Sequence, residues 1–195
     1  RITNEITKLF RGEYVKRGIQ YIKITEIGAH LPTFKQHPEV MDRLPDEVPP
    51  TTSFGPVIAL FHLLKPEVTI ANWVKDWKCS NEIKKEAESL AWAYNYFIKN
   101  GLDQWLVYHL HQQQDQNLIH LVRILDNKTI NEMDIRNSRS QLPIRHQKEL
   151  AINGHDLLQW FPERKQGPWL KHAIQTVEKN IVYGKLKNKK DHIKE

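Results

Sequence analysis

Ten histidines and a single cysteine are the residues best able to hold a metal or act as nucleophiles, and their spacing supports neither use. His109 and His111 are two positions apart, about 200° around a helix, so they cannot share a face. His62, His120, His146, His155, His172 and His192 have no carboxylate or cysteine at a recognised ligand spacing. Cys79 follows Trp77 and Lys78 at an expected helix start, a setting that lowers a thiol pKa slightly, yet no local residue offers a base. It reads as a buried structural cysteine. The carboxylate pairs Glu86/Glu88 and Glu132/Asp134 fall on polar stretches and read as solvated. The eight glycines are scattered rather than gathered into a phosphate loop, and no Asp-x-Asp pair is present for two-metal chemistry. On its own residues the chain reads as non-catalytic.

The C-terminal block is more informative. Residues 141–195 hold 11 basic and 6 acidic residues, whereas residues 1–140 hold 18 and 17, so nearly all of the net charge of +6 lies in the last quarter. A basic end on a near-neutral body suits contact with a phosphate backbone, and suits a solvated, solubilising end equally well. Within it, Gly167-Pro168 opens a helix whose Leu170, Ala173, Ile174, Val177 and Ile181 line one face until Gly184. A Gly-Pro start leaves backbone amides free from Trp169 onward, a seat for an anion. Lys165 and Lys171 lie within about a turn of that start, and Lys185, Lys187, Lys189 and Lys190 follow the far end. Gly154 separates an expected short helix over 147–152 from a segment that Asp156 could cap.

The elements that must position these residues are helical. Apolar spacing predicts helices over residues 2–10, 14–27, 55–64 and 68–77, with Gly28 near the end of the second. The clearest runs from Ser80 or Asn81 to Asn100-Gly101, with Ile83, Ala87, Leu90, Ala91, Tyr94, Phe97 and Ile98 recurring every three or four residues. Residues 103–111 form another, and 118–125 fit helix or strand. Five of the ten prolines fall between positions 38 and 56, which reads as an irregular connection, and polar residues 126–141 read as a second one. No stretch alternates strictly. The expected fold is all-α.

With 195 residues, 39% of them hydrophobic, the chain has room for one full domain or two small ones with a real core. The longest apolar run is five residues, 57–61, far short of the roughly 18 of a membrane span. No signal-peptide h-region follows the N-terminus, and one cysteine precludes an internal disulfide framework. A reduced, cytoplasmic setting without membrane contact is expected. The chain opens on arginine in what reads as mid-helix, so a piece of a longer protein is expected.

The block "ELAINGHDLL…GPWL…VYGKLKN" closely resembles the C-terminal tail of bacterial class II tRNA nucleotidyltransferases, the CCA-adding enzymes. "RITNEITKLFRGEYVKRGIQYI" followed by "HLPTF" resembles the family's last neck motif running into its body, with Arg1 and Glu5 matching the motif's Arg and second Glu. "WVKDWKCSNEIK" resembles the body's Trp-Lys-x-Ser-Asn helix start. The ordered set covers most of the chain. Family catalysis lies in an N-terminal head with a Gly-rich motif, an Asp-x-Asp pair and an Arg-Arg-Asp segment, and base selection in a Glu-Asp-x-x-Arg neck motif. None has a counterpart here, so no catalytic or nucleotide-selecting residue carries over.

The resemblance implies elongated helical body and tail domains: residues 1–12 as the end of a neck helix, 13–110 as body and 111–195 as a tRNA-binding tail. It implies tRNA as partner, gripped along the acceptor–TΨC arm and elbow, and Mg²⁺ with CTP and ATP as requirements of the intact enzyme, with no cofactor in this portion. Helix-terminus and charge arguments then single out Gly154, Lys165, Gly167, Trp169, Lys171, Lys185, Lys187, Lys189 and Lys190 for RNA contact. The same portion of a poly(A) polymerase or of an A- or CC-adding enzyme, and a helical protein-interaction module without RNA, are the alternatives; a histidine-based enzyme is a weaker third.

Overall fold

The computed structural model describes residues 2–194. Arg1, half of the expected neck pair, lies outside the described residues. Among the described residues the secondary structure is helical throughout, without a strand. The chain divides into two compact units, Arg1–Gly101 with Gln112–Glu132, and Leu102–His111 with Met133–Glu195.

In the first unit, α1 (Ile2–Arg11) buries Ile6 and Phe10, and α2 (Val15–Ile24) buries Val15 and Ile19. The second helix stops earlier than its apolar stripe predicts. Glu26 takes a left-handed φ of 57°, and Ile27–His30, with the buried Gly28, continues as a 3₁₀ turn. The proline-rich connection contains a short helix, α3 (Glu39–Arg43). Pro38 sits just ahead of it, where proline's missing N–H costs nothing.

α4 (Gly55–Leu64) is buried along its whole first seven residues, as an all-apolar helix must be. Thr69 caps α5 (Ile70–Asp76) through the Asn72 N–H, and Ser80 caps α6 (Asn81–Asn100) through the Ile83 N–H. Gly101, at φ 79°, closes α6, its N–H donating to the Phe97 carbonyl at 2.8 Å. α4 lies so close to α6 that a Cβ on Gly55 would stand 2.2 Å from Glu86 Oε2. Glu86 itself is half-buried and accepts the Ser53 hydroxyl at 2.5 Å, so it is not the solvated carboxylate its sequence context suggests. α8 (Asp115–Asp126) resolves residues 118–125 as helix, burying Leu118, Leu121 and Val122.

The centre of this unit is aromatic. Phe61 of α4 touches Phe34 edge-on at 4.9 Å between centroids, and also Trp73 at 5.3 Å and Trp77 at 5.8 Å; Phe10 and Phe54 close the group. The tilted and edge-to-face angles are those that aromatic quadrupoles favour. The Thr3 hydroxyl donates to the Trp77 carbonyl at 2.6 Å and ties α1 to this group. Cys79 stands beside it with its thiol pushed up to about 11 by burial, opposite to the lowering expected from the helix start.

In the second unit, Asp103 caps α7 (Gln104–His109) through the Leu106 N–H at 2.8 Å. The polar connection of residues 126–141 is in fact largely helical, as α9 (Glu132–Ser140), with Ile135 fully buried and Arg139 Nη1 donating to the Val107 and Leu110 carbonyls. The short helix expected over 147–152 shrinks to a 3₁₀ turn, Gln147–Glu149. α10 (Gly154–Trp160), α11 (Pro168–Val182) and α12 (Lys190–Lys194) follow. Ile181 and Val182 of α11 pack with Ile144, surrounded by Trp105, Tyr108, Leu142, Leu150 and Ile193.

Replacing Phe61 with alanine is expected to cost about 3–5 kcal/mol, the range for a large aromatic side chain lost from a packed core. Tyr14→Ala, at a side chain 72% exposed, should stay within about 0.5 kcal/mol. Urea unfolding of the two variants against the parent chain measures both.

Candidate nucleic-acid interface

α11 organises the candidate residues. Its buried Glu178 accepts the Tyr108 hydroxyl at 2.5 Å and the Gln147 side-chain amide at 2.9 Å, and Tyr183 donates to Asp103 at 2.7 Å. Burial, then the neighbouring Glu178 carboxylate, pushes the Tyr108 phenol up, so it remains a donor at any ordinary pH. The helix end is a Schellman motif: the Gly184 N–H donates to the Ile181 carbonyl at 2.8 Å and the Lys185 N–H to Asn180 at 2.8 Å. Gly184 takes φ 67°, which a side chain would oppose.

At the other end, Gly167 precedes Pro168 in extended conformation and no side chain caps the helix, but the Leu170 N–H donates to the Gly167 carbonyl at 3.2 Å, so the amides are not all free from Trp169 onward as the Gly-Pro start predicts. Trp169 is half-buried, and its indole N–H donates to the Lys165 carbonyl at 2.8 Å, so Lys165 and Trp169 are held together while both lysine side chains, Lys165 and Lys171, stay exposed. Lys185, Lys187 and Lys189 are exposed beyond the far end, with the Lys185 ammonium 5.6 Å from the centre of the Tyr183 ring. Fifteen residues at ~1.5 Å each separate the two groups by about 22 Å. They form two basic sites on one helix, not one patch.

Gly154 and Lys190 belong to a third place. Asn153, not Asp156, occupies the N-cap of α10; its side chain accepts from the His155 and Asp156 N–H groups, and Asp156 reaches back to the Asn153 N–H at 2.9 Å. This capping box takes up the first amides of α10. Lys190 Nζ donates to Asp156 Oδ1 at 2.8 Å while its side chain stays 57% exposed. The Asp156 side chain is only 11% exposed; its bond to Lys190 and the Asn153 N–H hold its carboxyl below the usual range. Gly154 is not in the left-handed region, and a Cβ there meets nothing within 4 Å; neither backbone nor packing explains a glycine at this position.

Two residues that the sequence reading passed over matter as much. Asn188 donates to the Glu149 carbonyl and accepts from the Ala151 N–H, both at 2.7 Å, fastening the segment after α11 to residues 149–151. Its position inside the lysine run was the available signal. Arg164 lies over the rings of both Phe161 and Trp169, at 5.6 and 5.5 Å from their centres.

Glu5, the described half of the neck pair, is exposed on α1 and bonded to Lys8 at 3.0 Å. A surface pair of this kind contributes little stability. Among the described residues no group of three or more His, Cys, Asp and Glu is placed to hold a metal ion. Among the described residues no helix is long and apolar enough to cross a membrane.

The family model described as tRNA nucleotidyltransferase domain 2 matches residues 53–195. A CCA-adding enzyme of Oceanobacillus iheyensis is 37% identical over 196 residues, and one of Listeria innocua 30% identical over 198, each alignment covering all of this chain and 49% of the relative. The chain therefore spans about half the length of the curated relatives it matches, corresponding to their C-terminal half. The crystal structure of the Bacillus stearothermophilus CCA-adding enzyme in complex with CTP shares the fold, with a TM-score of 0.83 at 21% identity over all of this chain and 50% of that one.

Because the folded state holds the Asp156 proton affinity below that of the unfolded chain, the Asp156–Lys190 pair stabilises fully above about pH 4 and is lost as pH falls through the lower folded value. Asp156→Asn should therefore lower Tm at pH 7, and the gap to the parent should close on acidification below about pH 4. Thermal melts across pH 3–7 check this.

Proposed function

The chain belongs to the tRNA nucleotidyltransferase domain 2 family, and we propose that it serves as the tRNA-holding body and tail of a CCA-adding enzyme. The observation that carries the proposal is the pair of exposed lysine sites at the two ends of α11, set on a helix that the buried Glu178 fixes in place. Duplex RNA presents a major groove too narrow for side chains, so a protein grips it by shape and by its phosphates. Lysines about one helix-length apart match that task better than a pocket would. Among them, Lys165, Lys171, Lys185, Lys187 and Lys189 have side chains directed to solvent, while Gly167 and Gly154 leave the backbone bare for close approach. Lys190 acts at one remove, by bonding Asp156 at the start of α10.

In this proposal the acceptor–TΨC arm and elbow lie on the tail, residues 111–195, while the reaction takes place elsewhere in the intact protein. The intact enzyme would transfer CMP and AMP to tRNA 3′ ends with CTP, ATP and Mg²⁺, in the cytoplasm. No chemical step is assigned to the residues of this chain.

Two measurements test this. The 195-residue chain should bind tRNA with an affinity that falls steeply with salt, and Lys185→Gln, Lys187→Gln and Lys189→Gln together should weaken binding and reduce the log–log salt slope by about 3; salt-independent binding overturns the proposal. Incubated with tRNA lacking CCA, CTP, ATP and Mg²⁺, the chain alone should extend nothing, and measurable extension overturns the division of labour.

A further inference from the structure

The loop between α10 and α11 is folded around one arginine. The Arg164 N–H donates to the Phe161 carbonyl at 3.0 Å, making a tight turn that carries the side chain back over the Phe161 ring. Trp169 is pinned from the other side by its bond to the Lys165 carbonyl, and its ring stands nearly perpendicular to Phe161, at 88° and 6.1 Å. The guanidinium lies 5.6 Å from one ring centre and 5.5 Å from the other. Its nearest acidic group, Glu163, is 3.9 Å from Nε, and both side chains are well exposed, so this contact holds it weakly. Phe161 remains 41% exposed, an unusual placement for phenylalanine in a polar loop.

Nine residues thus use two aromatic rings and two hydrogen bonds to fix one exposed guanidinium. Rings of this kind attract a guanidinium by cation–π interaction, and Arg164, being exposed, keeps N–H groups within reach of solvent. Pre-organised in this way, the planar fork matches two oxygens of one phosphate, which a mobile lysine cannot do. Lys165 and Lys171 continue the positive charge on its C-terminal side in sequence.

We propose that Arg164, seated on Phe161 and Trp169, is a bidentate clamp for one backbone phosphate of bound RNA. This rests on the tRNA-holding role proposed above and assigns to it a residue and a mode of contact that charge counting does not supply. The rings are the seat of the arginine, not a platform for a base.

The test measures binding of a tRNA transcript to the 195-residue chain over a series of salt concentrations. Arg164→Gln should weaken binding roughly tenfold and lower the log–log salt slope by about 1. Arg164→Lys should keep the parent slope but recover only part of the affinity, because it restores the charge without the fork. Circular dichroism and Tm of each variant should match the parent, since the side chain is exposed. If the parent binds tRNA and Arg164→Gln changes neither affinity nor slope, the clamp is overturned while the tRNA-holding role stands. If Phe161→Leu loses more affinity than Arg164→Gln at an unchanged slope, the cluster stacks a base and the clamp is likewise overturned. If the parent does not bind tRNA, the tRNA-holding role fails and the clamp fails with it.

Discussion

A carboxylate buried in the second unit constrains everything built on α11. Glu178 is 5% exposed, and a buried carboxylate is tolerable only when its oxygens are hydrogen-bonded. Tyr108 satisfies one oxygen and Gln147 the other, so α7, the 3₁₀ turn at Gln147–Glu149 and α11 are locked in a single arrangement. Apolar packing around Ile144, Ile181 and Val182 is not directional and would allow the helix to slide or turn. Two hydrogen bonds to fixed oxygens do not. The basic residues at both ends of α11 inherit their positions from this contact.

The ends themselves are finished by different chemistry. Gly184 allows the chain to reverse in a left-handed residue, and Asn188 then fastens it to residues 149–151 with a bond in each direction. Lys190 and Asp156 add an ion pair to the capping box of α10. At the start of α11 no side chain caps the helix, the Leu170 N–H turns back to the Gly167 carbonyl at 3.2 Å, and the Arg164 loop lies just before it in sequence.

Where the chain carried strong local signals, its elements were legible. α6 shows a serine cap, a sustained apolar period and a closing Asn-Gly, and all three appear in the structure. α11 likewise runs between Gly167-Pro168 and Gly184. α9 was not legible, because Ile135 is its one fully buried residue and no periodic stripe exists to read. Its helix depends on Arg139 reaching the carbonyls of Val107 and Leu110, some thirty positions away. Glu86 misled for the same reason: its surroundings in sequence are polar, while its surroundings in space are Gly55 and Ser53.

What the sequence determined by itself was the helical class, the C-terminal concentration of basic charge and the motifs that resemble the CCA-adding family, since each is a matter of composition or local spacing. The tertiary structure decided which partner each charge meets. Lys190, one of a run of identical lysines, meets Asp156 across 34 positions, and Arg164, unremarked in a charged loop, comes to rest on two aromatic rings. A side chain's surroundings depend on the partner that folding brings to it, and a one-dimensional pattern of charge carries no record of that partner.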